Sequence, residues 1–278
     1  MPRLVVLLSL LAARPLLAGA NVPVTYDTAH GAREVAMGGA FRELGIGANS
    51  ADGNPAAVAL FPAFQLEFAG GWSWQNGGWF GATWARDSTN PELAAAYSLH
   101  YITADFGVGT VNQINNGIAL ASRVGDRVAF GIGTRWIYQA SPKANVASLN
   151  TGISILVLPT MTLGFAAYNL IPTNNPQLAR TFEVGFGLLV GPVRIASEVR
   201  SDIGNGPLHP IWNSGLELLL GPALSLRGGW EWQEPTHQNF LSSGVGLVFG
   251  TVGLDVGWRH GLSGAGDLMV IGVRVAVQ

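Results

Sequence analysis

The chain has 278 residues, 48% of them apolar and only 12% charged, about half the ~25% of ordinary soluble domains. With 38 glycines, no cysteine, and 15 basic against 17 acidic side chains, it is no disordered segment, disulfide scaffold, thiolate site or basic nucleic-acid binder. What remains is an apolar, Gly-rich chain long enough for one large β domain.

Residues 1–20 read as a secretory signal peptide. Arg3 supplies the basic start, Leu4 to Ala13 the apolar stretch, and Ala18-Gly19-Ala20 a small-x-small cleavage site. Arg14-Pro15 interrupts the apolar run, which is then too short to cross a bilayer as a helix. Export with cleavage after Ala20 is expected.

Residues 21–63 do not alternate. They hold two compact blocks, Gly31-Ala32-Arg33-Glu34-Val35-Ala36-Met37-Gly38-Gly39-Ala40-Phe41 and Ala51-Asp52-Gly53-Asn54-Pro55-Ala56-Ala57-Val58-Ala59. Pro55 pushes Asn54 extended, and the glycines permit tight folding in a confined space.

From residue 64 the chain alternates with a period of two, which places alternate side chains on opposite faces of a strand. Phe64, Leu66, Phe68, Trp72 and Trp74 oppose Gln65, Glu67, Ser73 and Gln75; Phe182, Val184 and Phe186 oppose Thr181, Glu183 and Gly185. Tight breakers at Gly125-Asp126, Leu158-Pro159, Gly191-Pro192, Gly221-Pro222 and Gly250-Thr251 alternate with longer polar loops. Strands near ten residues long, joined by short turns and longer loops in strict alternation, are the pattern of an outer-membrane barrel. The count over residues 64–278 is about 14, so the expected fold is all-β: a transmembrane antiparallel barrel.

The charges share one parity: Glu67, Arg86, Arg127, Arg135, Glu183, Arg194, Glu198, Arg200, Glu217, Arg227, Glu231, Asp255, Arg259 and Arg274, together with His100 and Arg123. On this reading they face the lumen, where Glu183, Arg194, Glu198 and Arg200 form one ladder and Glu217, Arg227 and Glu231 another. Trp72, Trp74, Trp79, Trp136, Tyr138, Trp212, Trp230, Trp232 and Trp258 fall near the loop ends of their strands, the one-sided aromatic ring that a membrane interface selects.

The two blocks of residues 21–63 resemble the start of PorV/PorQ and FadL-type outer-membrane proteins, where a G-A-R-x-x-x-M-G-G-A-[FY] block precedes N-P-A. The resemblance implies that Gly31, Arg33, Met37, Gly38, Gly39, Asn54, Pro55 and Ala56 belong to a hatch, or plug, that blocks the barrel, with hydrophobic ligands leaving sideways through the wall. For this chain the exit is expected beside the strand near Ala94 to Thr103, the least regular of the set, with Gly107 and Gly109 bordering a gap. Two departures stand out: Ile46-Gly47 where the family often has an acidic pair, and Val277-Gln278 where barrels usually end in an aromatic residue.

Catalytic motifs are missing. Lys143 follows Ser141-Pro142 without the glycines of a phosphate loop, and there is no H-E-x-x-H or G-x-S-x-G. Gly185-Phe186-Gly187 and Gly244-Val245-Gly246 lie within strands, where close packing explains them. His209, His237 and His260 read as solvated loop residues, so no enzyme, cofactor or metal is expected. The expectation is a bacterial outer-membrane barrel, its partners the lipid bilayer and a hydrophobic small molecule that it transports passively or binds, and not nucleic acid. The alternative is a PorV/PorQ-like structural or type IX secretion accessory that holds protein cargo.

Overall fold

A computed structural model describes residues 24–25, 27–74, 78–105, 109–140, 143–173, 175–203, 209–234, 236–262, 264 and 266–277. The expected signal peptide and Gly107 lie outside the described residues.

Fourteen strands follow one another: β1 (Phe64–Ser73), β2 (Trp79–Asp87), β3 (Ala94–Asp105), β4 (Thr110–Val124), β5 (Val128–Gln139), β6 (Ala144–Leu158) and β7 (Met161–Tyr168), then β8 (Thr181–Val190), β9 (Val193–Asp202), β10 (His209–Leu220), β11 (Leu224–Gln233), β12 (Gln238–Phe249), β13 (Val252–Gly261) and β14 (Asp267–Val277). Each pairs antiparallel with its chain neighbours. β1 meets β14 from Phe64↔Val277 to Ser73↔Leu268, which closes the barrel. Closure removes the exposed strand edges that hydrocarbon could not satisfy.

The period of two sorts the side chains as anticipated. Phe68, Ile132, Phe182 and Leu254 stay 45–55% exposed on the outer face, while Glu67, Arg135, Glu183 and Asp255 on the opposite parity are buried. An apolar exterior around a polar interior suits a wall immersed in lipid. Eight of the nine tryptophans lie toward the loop ends of their strands, and Trp79 packs with Tyr101 at 5.3 Å and Trp136 with Tyr138 at 6.5 Å. The ninth, Trp84, points inward and is fully buried.

β3 corrects one expectation. Its burial alternates without a break, and its ladder with β4 is continuous from Ala94↔Ala121 to Asp105↔Thr110. Gly109 stands beyond the strand in the loop-side connection, at φ +96°, and so interrupts no pairing. The small residues Ala94, Ala96 and Ala104 are small because they face a packed interior. The register instead shifts between Leu156 and Leu158, in the β6–β7 pair. The turn between β2 and β3, at residues 88–93, has no glycine, as the one at 159–160 has none; the Pro91 carbonyl there accepts from Arg123 N at 2.9 Å.

The interior is filled by the chain's own N-terminal segment. Helix α1 (Ala32–Ala36) is followed by single 3-10 turns at Arg42–Leu44, Ala48–Ala51 and Pro55–Ala59. α1 packs on β11 to β14, Arg42–Leu44 on β7 to β9, Ala48–Ala51 on β1 to β4, and Pro55–Ala59 on β3 to β6. Met37 lies against Gly215 of β10. The segment therefore touches every strand of the barrel, and the apolar core is the seam between the two. Ala56, Ala57, Val58 and Ala59 of the segment, for instance, pack with Ala94, Ala119 and Ala129 of the wall.

Candidate functional site: the segment inside the barrel

Gly38 and Gly39, at φ +66° and +79°, end α1 in left-handed backbone that a side chain disfavours. Their amides donate to Val35 O at 3.1 Å and Glu34 O at 2.9 Å. The N-P-A block is a capped turn: Asn54 Oδ1 accepts from Ala56 N at 3.0 Å, with Pro55 at the first helical position. Asn54 Nδ2 then turns to the wall and to its own segment, donating to Ser154 Oγ at 3.1 Å and Glu43 Oε1 at 2.9 Å.

The wall is shaped to receive these features. A Cβ at Gly152 would overlap Asn54 Oδ1, one at Gly131 the Pro55 carbonyl carbon, and one at Gly164 the Glu43 carboxylate. Gly229 clears Gly38 N, Gly244 clears Ala36, and Gly257 clears the Ala32 carbonyl. Gly187 would meet the Glu43 carbonyl at 2.7 Å. The glycine pairs at 185–187 and 244–246 thus reflect close packing, and the residues packed against them include the N-terminal segment as well as neighbouring strands.

Ionic contacts fix the rest. Arg33 grips Glu217 of β10 with two hydrogen bonds, at 3.2 and 3.0 Å. The same carboxylate accepts from Arg194 at 2.9 Å and Arg227 at 2.7 Å. Arg227 continues to Asp255 at 2.6 Å, and Asp255 to Arg274 at 3.0 Å. Arg42 pairs with Glu198 of β9 and lies 3.5 Å from Glu183 of β8, which also accepts from Tyr168 Oη at 3.2 Å. Arg135 and Arg200 both reach Asp27, at 3.3 and 3.4 Å, and Arg259 pairs with Glu231 at 3.3 Å. Arg86 donates to the carbonyls of Gly45 at 2.7 Å and Phe61 at 2.6 Å. Glu67 and Glu34 bring their carboxylates together around Gly31. The paired charges persist because each meets a partner, whereas burial raises the pKa of Glu34 and favours its neutral form.

Of the two ladders expected along the wall, Glu217 and Arg227 do pair, extended by Arg194, Asp255 and Arg274; Glu231 pairs instead with Arg259, and Glu183, Glu198 and Arg200 meet Arg42 and Asp27 of the segment. Arg127 is a correction: it is exposed in the turn at residues 125–127, because β4 ends at Val124 and its parity no longer applies. Sequence reading also passed over Asp52, which accepts from Trp84 Nε1 and Ser98 Oγ and lies 2.9 Å from His100 Nε2. Trp84 shares the inward parity of Arg86, and that was the available signal.

Within the segment, burial opposes the charge on Asp27, but Arg200, Arg135 and Arg42 outweigh it and hold its pKa down at about 2. Burial, reinforced by Arg42, drives His30 down to about 3, a neutral imidazole at ordinary pH. Burial pushes Glu43 well above the usual carboxylate range. At the rim, His209 meets Glu234 and His260 meets Asp267, each at 2.6 Å. Among the described residues no group of histidine and acidic side chains could hold a metal ion.

The class these features define is a fourteen-stranded outer-membrane-type barrel with its N-terminal segment folded inside. No protein-family model and no curated protein matches the chain. Among solved structures it is similar to the Ralstonia pickettii toluene transporter TbuX, with 12% identity, 89% of this chain and 97% of that one covered, and a TM-score of 0.67. It is similar to a Pseudomonas aeruginosa FadL homologue at 12% identity, with coverage of 93% and 98% and a TM-score of 0.65. For the Pseudomonas putida toluene transporter TodX the identity is 10%, the coverage 89% and 97%, and the TM-score 0.63. At these identities the shared property is the fold.

Proposed function

We propose that the protein is a bacterial outer-membrane channel for hydrophobic small molecules, its residues 24–63 acting as a plug. The observation that carries this reading is the contact of that segment with all the strands, inside a wall whose outer face is apolar. A barrel of 14 strands is narrower than the 16–18-stranded porins that leave an aqueous channel, and here charged and apolar contacts occupy the interior. Diffusion of water-soluble solutes has little room. Fold relatives that include two toluene transporters support a hydrophobic cargo. No specific observation favours the secretion-accessory reading. The test is mass spectrometry of protein released from native membranes in a neutral detergent. A co-purifying lipid or hydrocarbon supports the channel; a stoichiometric protein partner without one contradicts it.

A further inference from the structure

Glu43 sits where the N-terminal segment meets β6 to β9, with 1% of its surface exposed. Its carboxyl occupies the space that Gly164 leaves without a side chain, and its backbone carbonyl accepts from Thr162 Oγ1. Oε1 accepts from Asn54 Nδ2 at 2.9 Å, and Oε2 lies 3.4 Å from Ser154 Oγ. Asn54 Nδ2 also reaches Ser154 Oγ at 3.1 Å. One small polar knot thus ties the Arg42–Leu44 turn to the N-P-A turn and to β6, and both partners of the Glu43 carboxyl are neutral.

The surrounding charges leave Glu43 without a counterion. β8 presents Glu183 and β9 presents Glu198; a Cβ at Gly185 would lie 2.8 Å from Glu198 Cβ and 3.0 Å from Glu43 Cγ. Arg42, its chain neighbour, is engaged by Glu198 and Glu183, and Arg200 of β9 by Asp27. β7 contributes Tyr168, whose hydroxyl donates to Glu183. β6 and the N-P-A turn contribute Ser154 and Asn54, which carry no charge. An ionised Glu43 would face two further carboxylates in a site closed to water, and like charges so placed disfavour ionisation. Burial, with Glu183 and Glu198 adding to it against the Asn54 amide, pushes Glu43 well above the usual carboxylate range.

We propose that Glu43 is a proton-operated latch: with its carboxyl neutral the Arg42–Leu44 turn stays docked on the wall, and loss of the proton to alkaline solvent releases it. The neutral acid is satisfied in place, one oxygen accepting from Asn54 and the other meeting the Ser154 hydroxyl. The ionised acid is driven out by Glu183 and Glu198 and by the cost of a charge held away from water. Docking therefore takes up one proton from solution, and between the ordinary glutamate value and the value held in the barrel it weakens by up to about tenfold per pH unit. The latch concerns the seating of the segment and holds whether or not the barrel carries a hydrophobic cargo.

The chain has no cysteine, so Ala40→Cys, at a fully buried position between segment and wall, supplies a single thiol. Full-length protein in neutral detergent is labelled with iodoacetamide from pH 6 to pH 9, with Glu43 intact and with Glu43→Gln, whose amide copies the neutral acid. The ratio of the two rates cancels the titration of the thiol itself. It should climb at least tenfold over this range, and the infrared band of protonated carboxyls at pH 6 should lose intensity in Glu43→Gln. Glu92→Gln, exposed in the turn at residues 88–93, should label as the protein with Glu43 intact does. Heat-modifiable gel mobility checks folding, and Glu43→Met carries the same comparison if the amide variant does not fold. A rate ratio that stays flat with pH, or a protonated-carboxyl band unchanged by Glu43→Gln, overturns the latch. A climbing ratio in a protein that takes up no hydrophobic molecule leaves the latch standing and removes only the transport reading.

Discussion

Glu217 holds three arginines at once, Arg33 from the segment and Arg194 and Arg227 from adjacent strands. Removing its charge leaves three buried or half-buried cations short of a partner. Breaking a buried pair from one side costs about 3–5 kcal/mol, so Glu217→Gln should lower the unfolding free energy by about that amount in a urea titration. Arg127→Gln, in an exposed turn, should stay within about 0.5 kcal/mol. Equal losses would mean that the lumen charges are solvated and not structural. Packing makes the same distinction. A side chain at Gly152 would overlap Asn54, and forced overpacking costs roughly 1–3 kcal/mol. A Cβ at Gly81 meets nothing within 4 Å. Gly152→Val should therefore lower the heat-dissociation midpoint on gels and Gly81→Ala should leave it in place.

Asp27 and His30 give the segment a pH dependence of known sign. Asp27, held at about 2 from an ordinary 3.8, binds its proton more readily once released, so its contribution is present above the ordinary value and lost as pH falls toward 2. His30, at about 3 against an ordinary 6.5, also takes up a proton more readily when released, so its burial destabilises increasingly below 6.5. Both effects loosen the segment on acidification. Glu43, whose pKa burial holds well above the ordinary carboxylate value, acts in the opposite sense, so the check is the difference between variants: as pH falls from 6 to 3 the heat-dissociation midpoint of Asp27→Asn or His30→Asn should gain on that of the wild type. A difference that stays constant over this range would show that these two groups are not held in the segment as described.

At the scale of elements, the strands were legible because the period of two and the Gly-based turns are local signals. Phe64 begins β1 as the alternation required, and the five glycine and proline breakers fall between strands. The partners of the charges were not legible. Arg33 and Glu217 are 184 positions apart, and Arg42 and Glu198 are 156 apart; no periodicity links a helix turn inside the barrel to one carboxylate on its wall. The role of Gly131 and Gly152 was hidden for the same reason, since a glycine in a strand looks alike whether a neighbour strand or a plug presses on it. The irregularity expected of the strand near Ala94 to Thr103 was misjudged because its small residues were taken for weak pairing, whereas they face a packed interior and β3 pairs with β4 without a break. The outward parity remains testable. Val184→Arg puts a charge on a face 46% exposed to lipid and should cost roughly 2–4 kcal/mol near the midplane. A Cβ at Gly185 meets Glu43 Cγ of the segment at 3.0 Å as well as Glu198 Cβ of the wall at 2.8 Å, so Gly185→Arg should act by displacing the segment, and a lipid-thickness series should modulate the first variant and not the second.

At the scale of the whole molecule, the fold divides two duties. The outer face belongs to the bilayer, with its aromatic ring toward the loops, and the inner face belongs to the N-terminal segment. On the proposed function a hydrophobic molecule crosses this barrel, whereas a hydrated solute meets a filled lumen. The most direct measurement is initial uptake of two labelled tracers, toluene and a small sugar, by cells with a lipopolysaccharide outer leaflet that express the protein and lack their own hydrophobe channel. The expected result is a several-fold rise in toluene uptake with sugar uptake unchanged. A parallel rise in both, the behaviour of an open aqueous pore, would contradict it, as would no rise in toluene uptake with the folded barrel present in the outer membrane.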